Sequence, residues 1–335
     1  MLLISSLLAF SVAFVLQQPA VPAPVVPAAD LIVGQAPLSY RWQGNWLRLP
    51  PEMKLGNTHG GIAVDAAGRV YVNTDTENAV LVFEPDGKFV KAWGKDFRGG
   101  AHGMLIHGAA GAQSMILAHT SRHEVVGTTL DGEVQWTLGW PKESGSYSSA
   151  AEYAPTAVAL APDGRLFVAD GYGKSWVHVY DKDRRYLKSF GGPGSEPGQF
   201  QTPHGLLLDT DHTPARLIVA DRENHRLQIF DLEGKLIEVI ARDLRRPCGL
   251  TRHGDVFAVA DLAGRVTLFD KDFKLLAQLC DQPDESLRAQ NGVAPERFKV
   301  GEFVSPHAVR FDAAGNLYVM DWVSTGRVTK LERLR

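Results

Sequence analysis

The stretch that decides the fold is TAVALAPDGRLFVADGYGKSWVHVYDKDRRYLKSFG, from Thr156 to Gly191. Short runs of β-branched and aromatic residues alternate with Asp-Gly and other turn-forming pairs, the signature of a strand meander. Outward from it the same pattern returns. Copies begin at Gly60 (GGIAVDAAGRVYV), His204 (HGLLLDTDHTPARLIVAD), Cys248 (CGLTRHGDVFAVAD) and His307 (HAVRFDAAGNLYVMD), and a degenerate one begins at His102 (HGMLIHGAAGAQSMILAH). The spacing of about 40 to 60 residues is that of propeller blades, and helical periodicity is absent from this region. The pattern predicts an all-β, six-bladed β-propeller of the NHL/TolB-like kind, spanning residues 38–335. The last copy runs out after three strands. Its missing strand is available at the other end of the chain, in YRWQGNWLRLP (Tyr40 to Pro50). A ring closed by this N-terminal strand would have no open edge.

The chain has 335 residues, net charge −3 and 44% hydrophobic residues. That suffices for a large core, and the charge balance excludes a basic, nucleic-acid-binding surface. Residues 1–30 read as a signal peptide and Pro-rich spacer: an apolar run to Leu16, then prolines from Pro19 to Pro27. The expected location is secreted or periplasmic. An uncleaved run, which would anchor the chain to a membrane, is the alternative. Cys248 and Cys280, the two cysteines, are expected as free thiols. Two insertions, Trp140 to Ala154 and Cys280 to Ser305, fall between blades, where loops can cover the channel mouth.

Aligning the first residue of each inner strand gives Gly60, His102, Thr156, His204, Cys248 and His307. Histidine takes alternate blades, which lie about 120° apart in a six-fold ring. Three imidazoles at one depth would converge on the axis as a three-histidine metal site with open positions. A histidine after proline can also simply open a strand. The remaining histidines considered, His107, His119, His123, His178, His212, His225 and His253, are placed on turns or outer strands, mostly at the surface. His119 is the exception, because it stands where other blades carry Asp170, Asp221, Asp261 and Asp321. Those aspartates are expected to brace turns. Just beyond two of them, Tyr172 and Arg222 should reach the histidine rim, as a proton acceptor and a carboxylate-binding fork.

PTAVALAPDGRLFVADGY, PGQFQTPHGLLL, LIVADREN and SPHAVRFDAAGNLYVMD resemble the peptidyl-α-hydroxyglycine α-amidating lyases (peptidylamidoglycolate lyases). The copies as a whole resemble NHL repeats. The lyase resemblance implies zinc held by His102, His204 and His307, Tyr172 as catalytic tyrosine, and Arg222 engaging the carboxylate of a small-molecule or peptide substrate. The implied reaction splits a carbinolamide C–N bond into an amide and glyoxylate. Three features depart from the family. The first-blade stretch Val72-Asn73-Thr74-Asp75 has no arginine. Ala308 follows the third histidine where the family has an aspartate associated with calcium, the second ion considered, and the family's disulfide cysteines are missing. Arg98, Arg297 and Lys299 are candidates to supply the lost cation. The alternative function is a non-enzymatic exported scaffold that binds protein or glycan.

Overall fold

The computed structural model describes residues 31–334, so the proposed signal peptide and spacer lie outside the described residues. The described chain folds into six antiparallel sheets arranged as the blades of a propeller. Blade three shows how the sequence builds each unit. Its strands are Ala157–Leu160, Leu166–Ala169, Trp176–Tyr180 and Tyr186–Gly191. The first hairpin turns at Asp163-Gly164, where Gly164 has φ 89°, a conformation only glycine adopts without strain. Both faces of each sheet pack on neighbouring blades, so inner strands are apolar on both sides rather than alternating. Between blades four and five, Ile218, Ile229, Phe257 and Phe269 form one such buried layer. No helix among the described residues is long and apolar enough to cross a membrane.

The ring closes as the sequence predicts. Leu38–Gln43 runs antiparallel to Arg327–Arg333, with Tyr40 opposite Arg333 and Trp42 opposite Leu331. Tyr40 and Trp42 are buried, and Trp42 stacks near Phe303 at 5.1 Å between ring centroids. Arg327 lies over both Trp42 and Phe298. The strand is shorter than the Tyr40 to Pro50 expectation. It ends at Gln43, and Trp46 turns away to donate its indole N–H to the Pro85 carbonyl. A further strand, Ile32–Gln35, pairs outside it and makes the sixth blade five-stranded. Among the described residues, strand pairing in this blade therefore begins at Ile32, before Leu38.

Cys248 and Cys280 are free and buried. Both insertions sit at the end of the ring where the inner strands begin. Their contacts run to the aspartates after the second strands: Tyr147 donates to Asp170, and Val304 and Ser305 donate backbone N–H groups to Asp321. Asp221 and Asp261 likewise accept backbone N–H groups from Gln201 and from Arg245. These four aspartates thus each tie an inter-blade linker to the blade it enters.

Candidate metal centre

The histidines owe their direction to an irregularity repeated at the start of five of the six inner strands, blade three being the exception. In blade four Pro203 pairs with Asp221, but the next pair is Gly205 with Ala220. In blade six Pro306 pairs with Asp321 and Ala308 with Met320. Blades two and five show the same single extra residue. This is a β-bulge, which re-aims a side chain at the rim of a sheet. The re-aimed residues are His204, His307, His102 and Cys248.

Blade one corrects the sequence alignment. Thr58 pairs with Thr74, the station of Pro203 with Asp221, and the next pair is Ile62 with Val72. Its bulge holds two extra residues instead of one. The first-blade member of the column is therefore His59, not Gly60. Gly60 occupies the additional position with φ 107°, and a Cβ there would lie 2.6 Å from the His102 Cα. The column reads His59, His102, Thr156, His204, Cys248, His307. The signal was the likeness of Thr58-His59-Gly60 to Pro203-His204-Gly205, obscured because Gly60-Gly61 allows alignment one residue later.

The rings meet on the axis. His102 and His204 lie 4.9 Å apart between ring centroids, His204 and His307 4.5 Å, and His102 and His307 5.1 Å. His59 packs against two of them, 4.9 Å from His102 and 5.0 Å from His307. His102, His204 and His307 are buried. Burial pushes the pKa of all three well below the ordinary histidine range, and mutual repulsion with neighbouring cationic groups adds to it. They are neutral imidazoles, the form that binds metals.

A hydrogen bond sets the tautomer of His102, whose Nδ1 donates to the Thr156 carbonyl at 2.6 Å. Nδ1 of His307 meets both the carbonyl and the N–H of Gly60, at 3.2 and 3.3 Å. The Nε2 atoms of His102 and His307 are buried without a hydrogen-bond partner among the described residues. A buried polar nitrogen left without a partner costs about 1–3 kcal/mol, so two such atoms beside one another mark a place for a ligand. A metal-binding histidine commonly fixes its free nitrogen this way, by giving the other N–H to a carbonyl. Among the described residues, ligand atoms of His59, His102 and His307 lie within 4.8 Å of one another, as do those of His204, Cys248 and His307. Nitrogen and sulfur donors suit a transition metal, whereas calcium takes oxygen.

Tyr172 and Arg222 reach this centre from blades three and four. The Tyr172 hydroxyl is 2.9 Å from Nε2 of His204 and 3.4 Å from Nε2 of His59. The residue is 37% exposed, but its hydroxyl end is the crowded one. Desolvation pushes its pKa up to about 12, against the opposing pull of Arg222. Arg222 donates from Nη1 to the Tyr172 hydroxyl at 3.3 Å and from Nε to Glu223 at 2.8 Å. Glu223 also receives Arg246 at 2.6 Å, so it is shared and Arg222 keeps donors directed at the centre.

Other sequence expectations fall elsewhere. Arg98 pairs with Glu77, Arg297 with Asp284 and Lys299 with Glu302, all at exposed positions. His119 is buried beside Phe97 and takes no part in the ring cluster. His178 is not a surface residue. The Trp140 to Ala154 insertion folds over it, and it is buried between the Tyr147 hydroxyl and Ser189.

Comparison with known proteins follows the same lines. NHL repeat-containing protein 3 of Mus musculus is 32% identical over 180 residues, 51% of this chain and 51% of that protein. Peptidyl-alpha-hydroxyglycine alpha-amidating lyase 1 of Drosophila melanogaster is 30% identical over 166 residues, 46% of this chain and 29% of that protein. The chain is a six-bladed propeller that is similar to NHL-repeat proteins and to the amidating lyases. It spans about half the length of the NHL relative and less than a third of the lyase relative. Among solved structures, a streptogramin B lyase superposes with a TM-score of 0.59 at 13% identity, covering 88% of this chain and 97% of that one, which is a likeness of fold. No protein-family model matches the chain.

Proposed function

We propose that this propeller is a zinc-dependent lyase that cleaves the C–N bond of a carbinolamide of the α-hydroxyglycine type, giving an amide and glyoxylate. The observation that carries the reading is the pair of bare Nε2 atoms on His102 and His307, facing the same space as the Tyr172 hydroxyl and His204. His102, His204 and His307 would hold the metal. A zinc ion bound there supplies Lewis acidity that lowers the pKa of a coordinated hydroxyl.

Tyr172 would take the hydroxyl proton as its phenolate, a form that Arg222 beside it and a cation held by the histidines would favour; its oxygen accepts from Arg222 and lies 2.9 Å from Nε2 of His204. Arg222 offers a guanidinium for the substrate carboxylate. As the hydroxyl oxygen becomes the glyoxylate carbonyl, the C–N bonding pair leaves with nitrogen, which gains a proton to become the amide. No electrons are exchanged with a redox cofactor. The substrate implied is a small molecule or peptide ending in a carboxylate. Export of the chain, secreted or periplasmic, belongs to the same proposal and rests on the apolar N-terminal run.

Elemental analysis of the purified chain and glyoxylate release from an α-hydroxyglycine-extended peptide test the proposal together. Zinc near one per chain with glyoxylate formed is the expected result. Zinc without glyoxylate overturns the lyase reading and leaves the metal centre standing. A chain that takes up no zinc and turns over no such substrate overturns both parts and leaves the alternative reading, an exported scaffold that binds protein or glycan.

A further inference from the structure

Four histidines meet at the centre, where the metal set derived from the sequence uses three. His59 and His204 each pack against both members of the His102–His307 pair. Ligand atoms of His59, His102 and His307 lie within 4.8 Å of one another, whereas His204 groups with His307 and Cys248, so His307 is common to both sets. We propose that His59 is a fourth imidazole donor to this metal centre, contributed by the first blade. The inference rests on the metal part of the function proposed above and adds a ligand to it.

Three features of blade one support the assignment. The double bulge from Thr58 to Ile62 carries His59 to the rim station occupied by the other histidines. Buried Asn73 braces that bulge. Its side-chain oxygen accepts the Gly61 N–H and its amide donates to the His102 carbonyl, both at 2.6 Å. The first blade is thereby locked to the backbone of an adjacent ligand. On its other side His59 presents Nδ1 to Asp75 at 3.7 Å, and Asn57 and Asn291 continue that contact into the second insertion. A carboxylate beyond the ring is the usual partner that orients a metal-binding histidine.

The fourth donor changes what the centre is. Three histidines leave an open position, whereas four nitrogen donors satisfy a tetrahedral ion. His59 is the least buried of the four, and the Tyr172 hydroxyl lies between it and His204. It is therefore the donor that an arriving substrate oxygen would replace, next to the phenol proposed as proton acceptor.

The test uses the chain stripped of metal with a chelator, then titrated with Zn2+ and with Co2+, for the wild type, His59→Ala and His59→Gln. Both variants should take up one ion per chain. Their Zn2+ dissociation constants should rise by at least about tenfold, since losing even a partner outside the ligand shell costs 10–100-fold. The visible Co2+ band should change intensity or position in both. Unchanged affinity and an unchanged Co2+ band in His59→Ala overturn the inference while leaving the three-histidine centre in place. Loss in His59→Ala with full recovery in His59→Gln also overturns it, because glutamine restores hydrogen bonding and not a nitrogen ligand. A wild type that binds neither ion overturns this inference and the zinc reading together. Cooperative thermal unfolding of each variant separates a lost ligand from a lost fold.

Discussion

The phenol of Tyr172 stands 2.9 Å from Nε2 of His204, although the two residues lie on different blades and 32 positions apart. Tyr172 leaves blade three after Asp170, whose carboxylate is fixed by the Ala154 and Lys174 N–H groups. His204 is thrown inward by the bulge of blade four. Two local devices thus bring the phenol of one blade to the imidazole of the next.

Tyr172→Phe removes the hydroxyl and little else. Zinc content should remain at the wild-type level, because Tyr172 is not among the proposed donors. Glyoxylate release should fall by about 10²–10⁴-fold, the range for loss of a positioned acid or base. Retained turnover with retained zinc would show that another group takes the proton.

Arg222→Ala should act mainly on the Michaelis constant. A charge-assisted hydrogen bond is worth about 1.5–3 kcal/mol, so KM should rise about 10–150-fold while kcat changes less. Glu223 keeps its bond to Arg246, so the variant should fold. A fall confined to kcat would assign Arg222 to the transition state instead. Arg222→Lys should recover only part of the loss, since lysine lacks the planar fork.

The fold was legible because its cues are local and repeated. Pairs such as Asp163-Gly164 and Asp86-Gly87 mark hairpins, and six copies of one meander leave few alternatives. The closing strand could be found from the missing fourth strand of the last copy. Ile32–Gln35 could not, because a fifth outer strand answers no gap in the pattern and follows a proline-rich stretch. At the centre, His102, His204 and His307 were visible as a column. His59 was hidden by one inserted residue, since register in a sheet is a property of pairing and not of sequence spacing. His178 escaped for a different reason: its burial is conferred by an insertion outside the repeat.

Trp42→Ala tests the closure. Trp42 is buried against Phe303 and covered by Arg327, so truncation should cost about 3–5 kcal/mol. The loss should appear as a lower melting temperature and as earlier proteolysis at the N-terminal strand. If the variant melts with the wild type, the strand is an ornament on a ring already stable without it.

His178→Gln tests the buried network beneath the first insertion. Nε2 of His178 meets the Tyr147 hydroxyl and Nδ1 meets Ser189, both at 2.7 Å. Burial holds its pKa down at about 3 in the folded chain, whereas the unfolded chain titrates near the ordinary 6.5. Between these values the unfolded state binds more protons, so acidification favours unfolding. The stability from keeping this ring neutral is fully present above pH 6.5 and is lost as pH falls toward 3. From pH 6.5 to pH 5 the loss is about 2 kcal/mol, at 1.36 kcal/mol per pH unit. The buried histidines of the metal centre add to acid lability in the wild type, so the comparison to make is the difference between proteins. His178→Gln should melt lower than wild type at pH 7.5, and the gap should narrow as the pH falls to 5. Parallel melting curves over that range would mean that His178 does not titrate on unfolding.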